Sequence, residues 1–214
     1  MLFRSQKWSL PVCFSSNNEK LQCQVLRETE QTLRFQGCTR EPVFLNRTGR
    51  GYYITEYQPA VEARISKDAM KLDPAERMAF ARDEWYLVMA GKTQIGKYLQ
   101  LVKTLQADRN PEFLEAELKN LQYISDYWTA PDDNKTFQNW ARSVLQPISK
   151  ELSQIPNPTV DQQVMRGDVL KALAVTAKDP DTMKGGAAVH RETAHQNHCP
   201  FLPFYMPLRS SHRA

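Results

Sequence analysis

The chain has 214 residues, 41% of them hydrophobic and 24% charged, with a formal net charge of +4; that is enough to bury a core in one large or two small domains. Its basic residues are scattered rather than gathered into the stripe that a phosphate backbone needs, which argues against nucleic acid as a partner. No apolar run reaches the roughly 18 to 20 residues of a membrane span, and polar residues interrupt the opening MLFRSQKWSLPVCF too often for a signal peptide.

The first fifty-odd residues read as strands. Leu10, Val12 and Phe14 alternate in SLPVCF, Leu21, Cys23 and Val25 in LQCQVL, and Leu33 and Phe35 in QTLRFQG. A period of two gives each strand one buried and one wet face. SSNNEK (15–20) and GCTREP (37–42) carry turn chemistry, and NRTGRG closes a further hairpin between VFL and GYYIT, its glycines free to take positive φ. Short strands with polar connections predict part of an antiparallel β-sandwich over residues 1–57.

After Tyr57 the texture changes, with Pro59 at the break. LDPAERMAFARDEWYLVMAGK has Asp73 as N-cap, able to accept from the Glu76 amide, Pro74 at the first helical position and Glu76 favouring the positive end of the dipole, with Gly91 and Lys92 as the stop. TQIGKYLQLVKTLQAD places Ile95, Tyr98, Leu99, Val102 and Leu105 on one helical face. RNPEFLEAELKNLQYISDYW repeats the cap chemistry with Asn110 and Pro111 and turns Leu114, Leu118, Leu121 and Ile124 inward. KTFQNWARSVLQPISKELSQ offers Phe137, Trp140, Val144 and Ile148, with a kink expected at Pro147. TVDQQVMRGDVLKALAVTAK closes the series with Val164, Leu170 and Leu173. Short turns between amphipathic helices make antiparallel neighbours, so residues 58–178 predict a truncated, HEAT-like α-α superhelical repeat domain, giving an α+β chain overall. From Asp179 the periodicity ends, and the Gly-, Pro-, His- and Ser-rich stretch 179–214 reads as a disordered tail whose composition suits a frame-shifted or read-through end.

The cysteines are Cys13, Cys23, Cys38 and Cys199, with no C-x-x-C pair, which disfavours a zinc ribbon. They read either as half-buried thiols or as a Cys23–Cys38 bridge clasping the strands, the latter requiring an oxidising compartment.

Three stretches follow one another in a telling order: WSLPVCF, VFLNRTGRGYYITEY and ERMAFARDEWYLVMAGK. Over residues 8–178 this order resembles the C-terminal part of the aminopeptidase N family of zinc metallopeptidases (gluzincin aminopeptidases). It runs from the end of the β-sandwich domain into the helical C-terminal domain seen in the endoplasmic-reticulum and puromycin-sensitive aminopeptidases. The landmark is Asn46, Gly51, Tyr52, Tyr53 and Tyr57; Ile54 departs from the arginine of many relatives. The resemblance implies that Tyr52, Tyr53 and Tyr57 wedge the junction of sandwich and helices, an alternative being an aromatic small-molecule box.

Family members hydrolyse N-terminal residues with zinc held by H-E-x-x-H and a distant glutamate, and bind the substrate amine through G-x-M-E-N. Neither motif occurs in this sequence. In HRETAH (190–195) the histidines are five apart, turned by about 140° on a helix, too far for one metal. His190, His195, His198 and Cys199 would at most collect a soft metal transiently. Asp132 and Asp133 read as helix caps rather than an acid/base pair, and Trp85, Trp128 and Trp140 as core. Gly49 and Gly51 lack the spacing of a dinucleotide loop. No catalytic, metal-ligating or cofactor-binding residue is therefore assigned, and zinc is expected in the parent family but not in this chain. Arg77, Arg82, Lys92, Lys97 and Lys103 are basic residues that a peptide carboxylate would use on the concave helical wall, although nothing in the sequence singles one out. The expected function is that of a non-catalytic fragment that caps or contacts an aminopeptidase module, or peptide, outside this chain. The alternatives are a free-standing helical-repeat module that binds peptide or protein, and an inert fragment.

Overall fold

The computed structural model describes residues 9–16, 20–35, 41–47 and 49–185. Among them a three-stranded antiparallel sheet, ordered β2-β1-β3, precedes a succession of helices. The strands are β1 (Leu10–Ser15), β2 (Gln22–Leu26) and β3 (Phe44–Leu45). The helices are α1 (Pro59–Lys67), α2 (Pro74–Met89), α3 (Ile95–Thr104), α4 (Pro111–Tyr127), α5 (Asn134–Ser153) and α6 (Val160–Val175), with a 3₁₀ turn at Ala69–Lys71.

β1 buries Val12 and Phe14, as its alternation predicts. β2 turns the other way. Its antiparallel register sets Cys23 opposite Cys13 and Gln24 opposite Val12, and residues directly opposite share a face. Leu21 and Val25, expected inside, are therefore exposed, while Gln22, Gln24 and Leu26 face inward and are half-buried. The same register joins Cys13 to Cys23 in a disulfide, which replaces the expected Cys23–Cys38 bridge; Cys38 lies outside the described residues, as does Cys199. Residues 31–35 form no strand. Side-chain amides hold them instead: Gln24 Nε2 donates to the Arg34 carbonyl at 2.7 Å, and Gln31 Nε2 to the Val25 carbonyl at 3.0 Å. The expected hairpin after β3 is absent too, because 52–56 do not pair.

Helix ends follow the sequence closely. Glu76 accepts from the Asp73 amide at 3.0 Å within a capping box, and Gly91, at φ +69°, stops α2. Gly91 N–H donates to the Val88 carbonyl and Lys92 N–H to that of Leu87, the paired bonds of a Schellman motif. Asn110 accepts from the Phe113 amide at 2.9 Å, and Thr159 and Gln162 cap α6 reciprocally. Pro147 sits inside α5, which continues to Ser153.

The larger core joins α2 to α6 through Tyr98, Val102, Leu121, Ala141, Val144, Leu145 and Val169. A second core links sheet to helices through Phe44, Ile65, Phe80, Leu101, Leu105 and Phe113. On α3 and α4 the expected faces are the ones packed. On α6 the packed set is Met165, Val169, Ala172 and Leu173, whereas Val164 and Leu170 are exposed. Spacings of four, seven and eight stay on one stripe of a 3.6-residue turn; the expected 164, 170 and 173 do not. Residues 180–185 add a helical stretch where the tail was expected to begin. Its first turn is capped by Asp179, which accepts from the Thr182 amide and hydroxyl. No described helix is long and apolar enough to cross a membrane.

Candidate functional site

The landmark segment is a clasp between sheet and helices. Asn46 is buried with φ +58°. Its amide N–H reaches the Cys13 carbonyl at 2.8 Å, and its side chain both accepts from Gly51 N–H at 2.6 Å and donates to the Gly51 carbonyl at 3.2 Å. A Cβ on Gly51 would lie 2.3 Å from the Tyr53 ring, so only glycine fits. Arg47 then bridges the Ser16 carbonyl, at 3.1 Å, and the Glu76 carboxylate, at 2.6 Å, fastening the end of β1 to the start of α2. Two turns along α2, Asp83 accepts from the Thr55 amide at 3.0 Å.

Tyr57 behaves as the junction reading predicts. Its hydroxyl accepts from the Leu45 amide at 2.8 Å and its ring packs against Phe44 and Phe80; burial holds its hydroxyl far above the usual phenol range. Tyr53 is half-buried, but Tyr52 is fully exposed, which removes it from the wedge. Ile54 is exposed.

Between this clasp and the helices lies a groove. Met78, Arg82 and Trp85 come from one stripe of α2, and Phe113, Ala116, Glu117 and Asn120 from one stripe of α4, around a cavity of about 390 Å³. A second cavity of about 380 Å³ lies under Tyr52, Tyr53 and Ile54, and Arg82 and Tyr86 line both. Behind the α4 face Tyr98 of α3, fully buried, donates to Glu117 Oε2 at 2.5 Å and accepts from Asn120 at 2.8 Å. Glu117 is only 5% exposed. Burial pushes its carboxyl up to about 7, against the hydrogen bond from Tyr98, which lowers it. Elsewhere on α2, Glu84 is buried among α1 and α3, and burial, reinforced by Glu62 and opposed by Lys97, also pushes it to about 7.

The five basic residues separate clearly. Arg77 is consumed by a partly buried pair with Asp108 and by the Leu72 carbonyl. Lys92 pairs with Glu56 and Lys97 with Glu62, and Lys103 is exposed on α3. Arg82 alone of the five lines the groove, with Asp83 Oδ1 at 3.2 Å. Asp132 and Asp133 are both exposed, Asp133 at the α5 N-cap. Trp85 and Trp140 pack against the core, but Trp128 is exposed at the edge of an aromatic cluster, stacked 5.5 Å from Trp85. HRETAH lies outside the described residues. Among the described residues no three His, Cys, Asp or Glu side chains stand where they would hold a metal; these residues do not fit a zinc site. The sequence reading missed Glu117, Tyr98 and Asn120 as a unit. Its trace was a glutamate between Phe113, Leu114, Leu118 and Leu121 on the inner stripe of α4.

A family model described as an ERAP1-like C-terminal domain matches residues 42–194. The chain belongs to that family. It is similar to endoplasmic reticulum aminopeptidase 2 of Bos taurus, 23% identical over 175 residues, covering 77% of this chain and 18% of that protein. Endoplasmic reticulum aminopeptidase 2 of Homo sapiens is likewise 23% identical over 172 residues, with the same coverage of 77% and 18%. The chain thus spans under a fifth of the length of these curated relatives, and the stretch it matches is C-terminal domain.

Proposed function

We propose that this chain is a non-catalytic C-terminal part of an aminopeptidase-type protein. It caps a peptide-hydrolysing module that lies outside it, and its groove contacts the carboxylate end of a peptide through Arg82. The observation that carries this reading is Arg82 itself, the one cation of the five weighed that lines both cavities, although it too contacts a carboxylate, Asp83. Family membership supports the capping role, and a sequence without H-E-x-x-H supports its non-catalytic side. In the same reading residues 1–57 are part of a β-sandwich and 58–178 the start of an α-α superhelix. The exposed side of β2 and the exposed valines of α6 are consistent with faces that further layers would cover.

Co-expression with a catalytic aminopeptidase module tests the capping role, with arylamidase turnover and co-purification as readouts; a module that neither associates nor gains turnover counts against it. Arg82→Ala is expected to weaken a free-acid peptide about tenfold, the worth of one charge-assisted hydrogen bond, and to leave the corresponding peptide amide unchanged. A free-standing peptide-binding module is the second reading, favoured by the groove being complete within this chain. Peptide binding without any effect on a catalytic module would select it.

A further inference from the structure

Resting on the peptide-contact reading, we infer that the α2–α4 groove selects a basic side chain, a lysine or arginine of the bound peptide, by seating its cationic head against Glu117. The carboxylate is more than nine-tenths buried and lines the groove. One of its oxygens is taken by the Tyr98 hydroxyl, while the other, Oε1, has no donor among the described residues. Tyr98 is itself saturated, since it accepts from Asn120 as it donates to Glu117. The floor therefore presents a carboxylate oxygen that has no protein donor and keeps some solvent contact, open to a donor entering the groove.

The walls suit the stem of such a side chain. Met78, Trp85 and Phe113 offer apolar and aromatic surface for its methylenes. The cavity, at about 390 Å³, is many times the ~30 Å³ share of one water molecule. The charge pattern also sets polarity. Arg82 on α2 repels a cation and attracts an anion, whereas Glu117 does the reverse, so a ligand carrying both charges has one favoured orientation. Above about pH 7, where Glu117 is ionised, an acidic side chain would meet it as a like charge and be rejected.

Binding of fluorescent nonapeptides to the full 214-residue chain at pH 8, where Glu117 is ionised, tests this by anisotropy. The peptides end in lysine, norleucine or glutamate, each as free acid and as amide. The expected result is about tenfold tighter binding of the lysine peptide than of the norleucine peptide, the worth of one charge-assisted contact. Glu117→Gln, which keeps an acceptor for Tyr98, should erase that gap. Equal affinity of the lysine and norleucine peptides in the unaltered chain overturns the inference without any variant; so does a gap that survives in a cooperatively melting Glu117→Gln chain. If the unaltered chain shows no gap but binds free acids better than amides, the Arg82 contact stands and the basic pocket falls. If the gap holds without an acid preference, the pocket stands and the Arg82 contact falls. Absence of binding by every peptide overturns both.

Discussion

Glu84 and Glu117 are carboxyl groups whose folded values lie near 7, above the 4.5 of an exposed glutamate. Below about pH 4.5 each group is protonated in both states and favours neither. Between 4.5 and 7 the folded chain keeps protons that the unfolded chain has released, so stability falls as pH rises and levels off above 7. A shift of this size is worth on the order of 3 kcal/mol per group. Urea denaturation at pH 5 and pH 8 should show a less stable chain at pH 8, and Glu84→Gln should flatten that slope; an unchanged slope would remove Glu84 from the account. Legibility at this scale was uneven. Asp73, Glu76, Asn110 and Gly91 announce themselves because capping depends on local residue order. Glu117 does not, because a glutamate inside an apolar stripe acquires its meaning only from Tyr98, which arrives from another helix.

At the level of elements, β2 and α6 were found but turned. Period alone identified β2, yet Leu21, Cys23 and Val25 satisfy it as well as Gln22, Gln24 and Leu26 do. Register with β1 made the choice, and a one-residue difference exchanges the faces. On α6 valines populate solvent positions, so apolar identity misled where the spacing of Met165, Val169, Ala172 and Leu173 marks the buried stripe. The Cys13–Cys23 pairing follows from that register and carries its own prediction. Closing a loop of 10 residues is worth about 2–3 kcal/mol in the chain-entropy account. Reduction should lower the hydrogen-exchange protection of β1 by that amount and leave α4 to α6 unaffected, while alkylation of the unreduced chain should spare Cys13 and Cys23. Labelling of both would refute the bridge.

Across the whole molecule, Tyr57 couples two structural layers. The strand-to-helix change near this residue was legible because Pro59 begins α1 and the glycine-rich turn precedes it. That Tyr57 reaches back to the Leu45 amide while packing on Phe80 was visible only in three dimensions. Tyr57→Phe keeps the ring and removes the acceptor, leaving a part-buried amide unsatisfied. The expected cost is about 1–3 kcal/mol in global stability, read as a lower midpoint in thermal denaturation with a single transition; a shift near zero would mean that the amide finds another partner.

Arg47 gives the molecule a stiffness that neither layer has alone. One guanidinium grips the carbonyl at the end of the central strand and the carboxylate that also caps α2. Rotating the sheet about Asn46 and Arg47 would therefore uncap a helix in the same motion. A pull applied to the strands reaches the groove wall, because Arg82 rides on that same rod. Whatever grips the strands thereby orients Arg82.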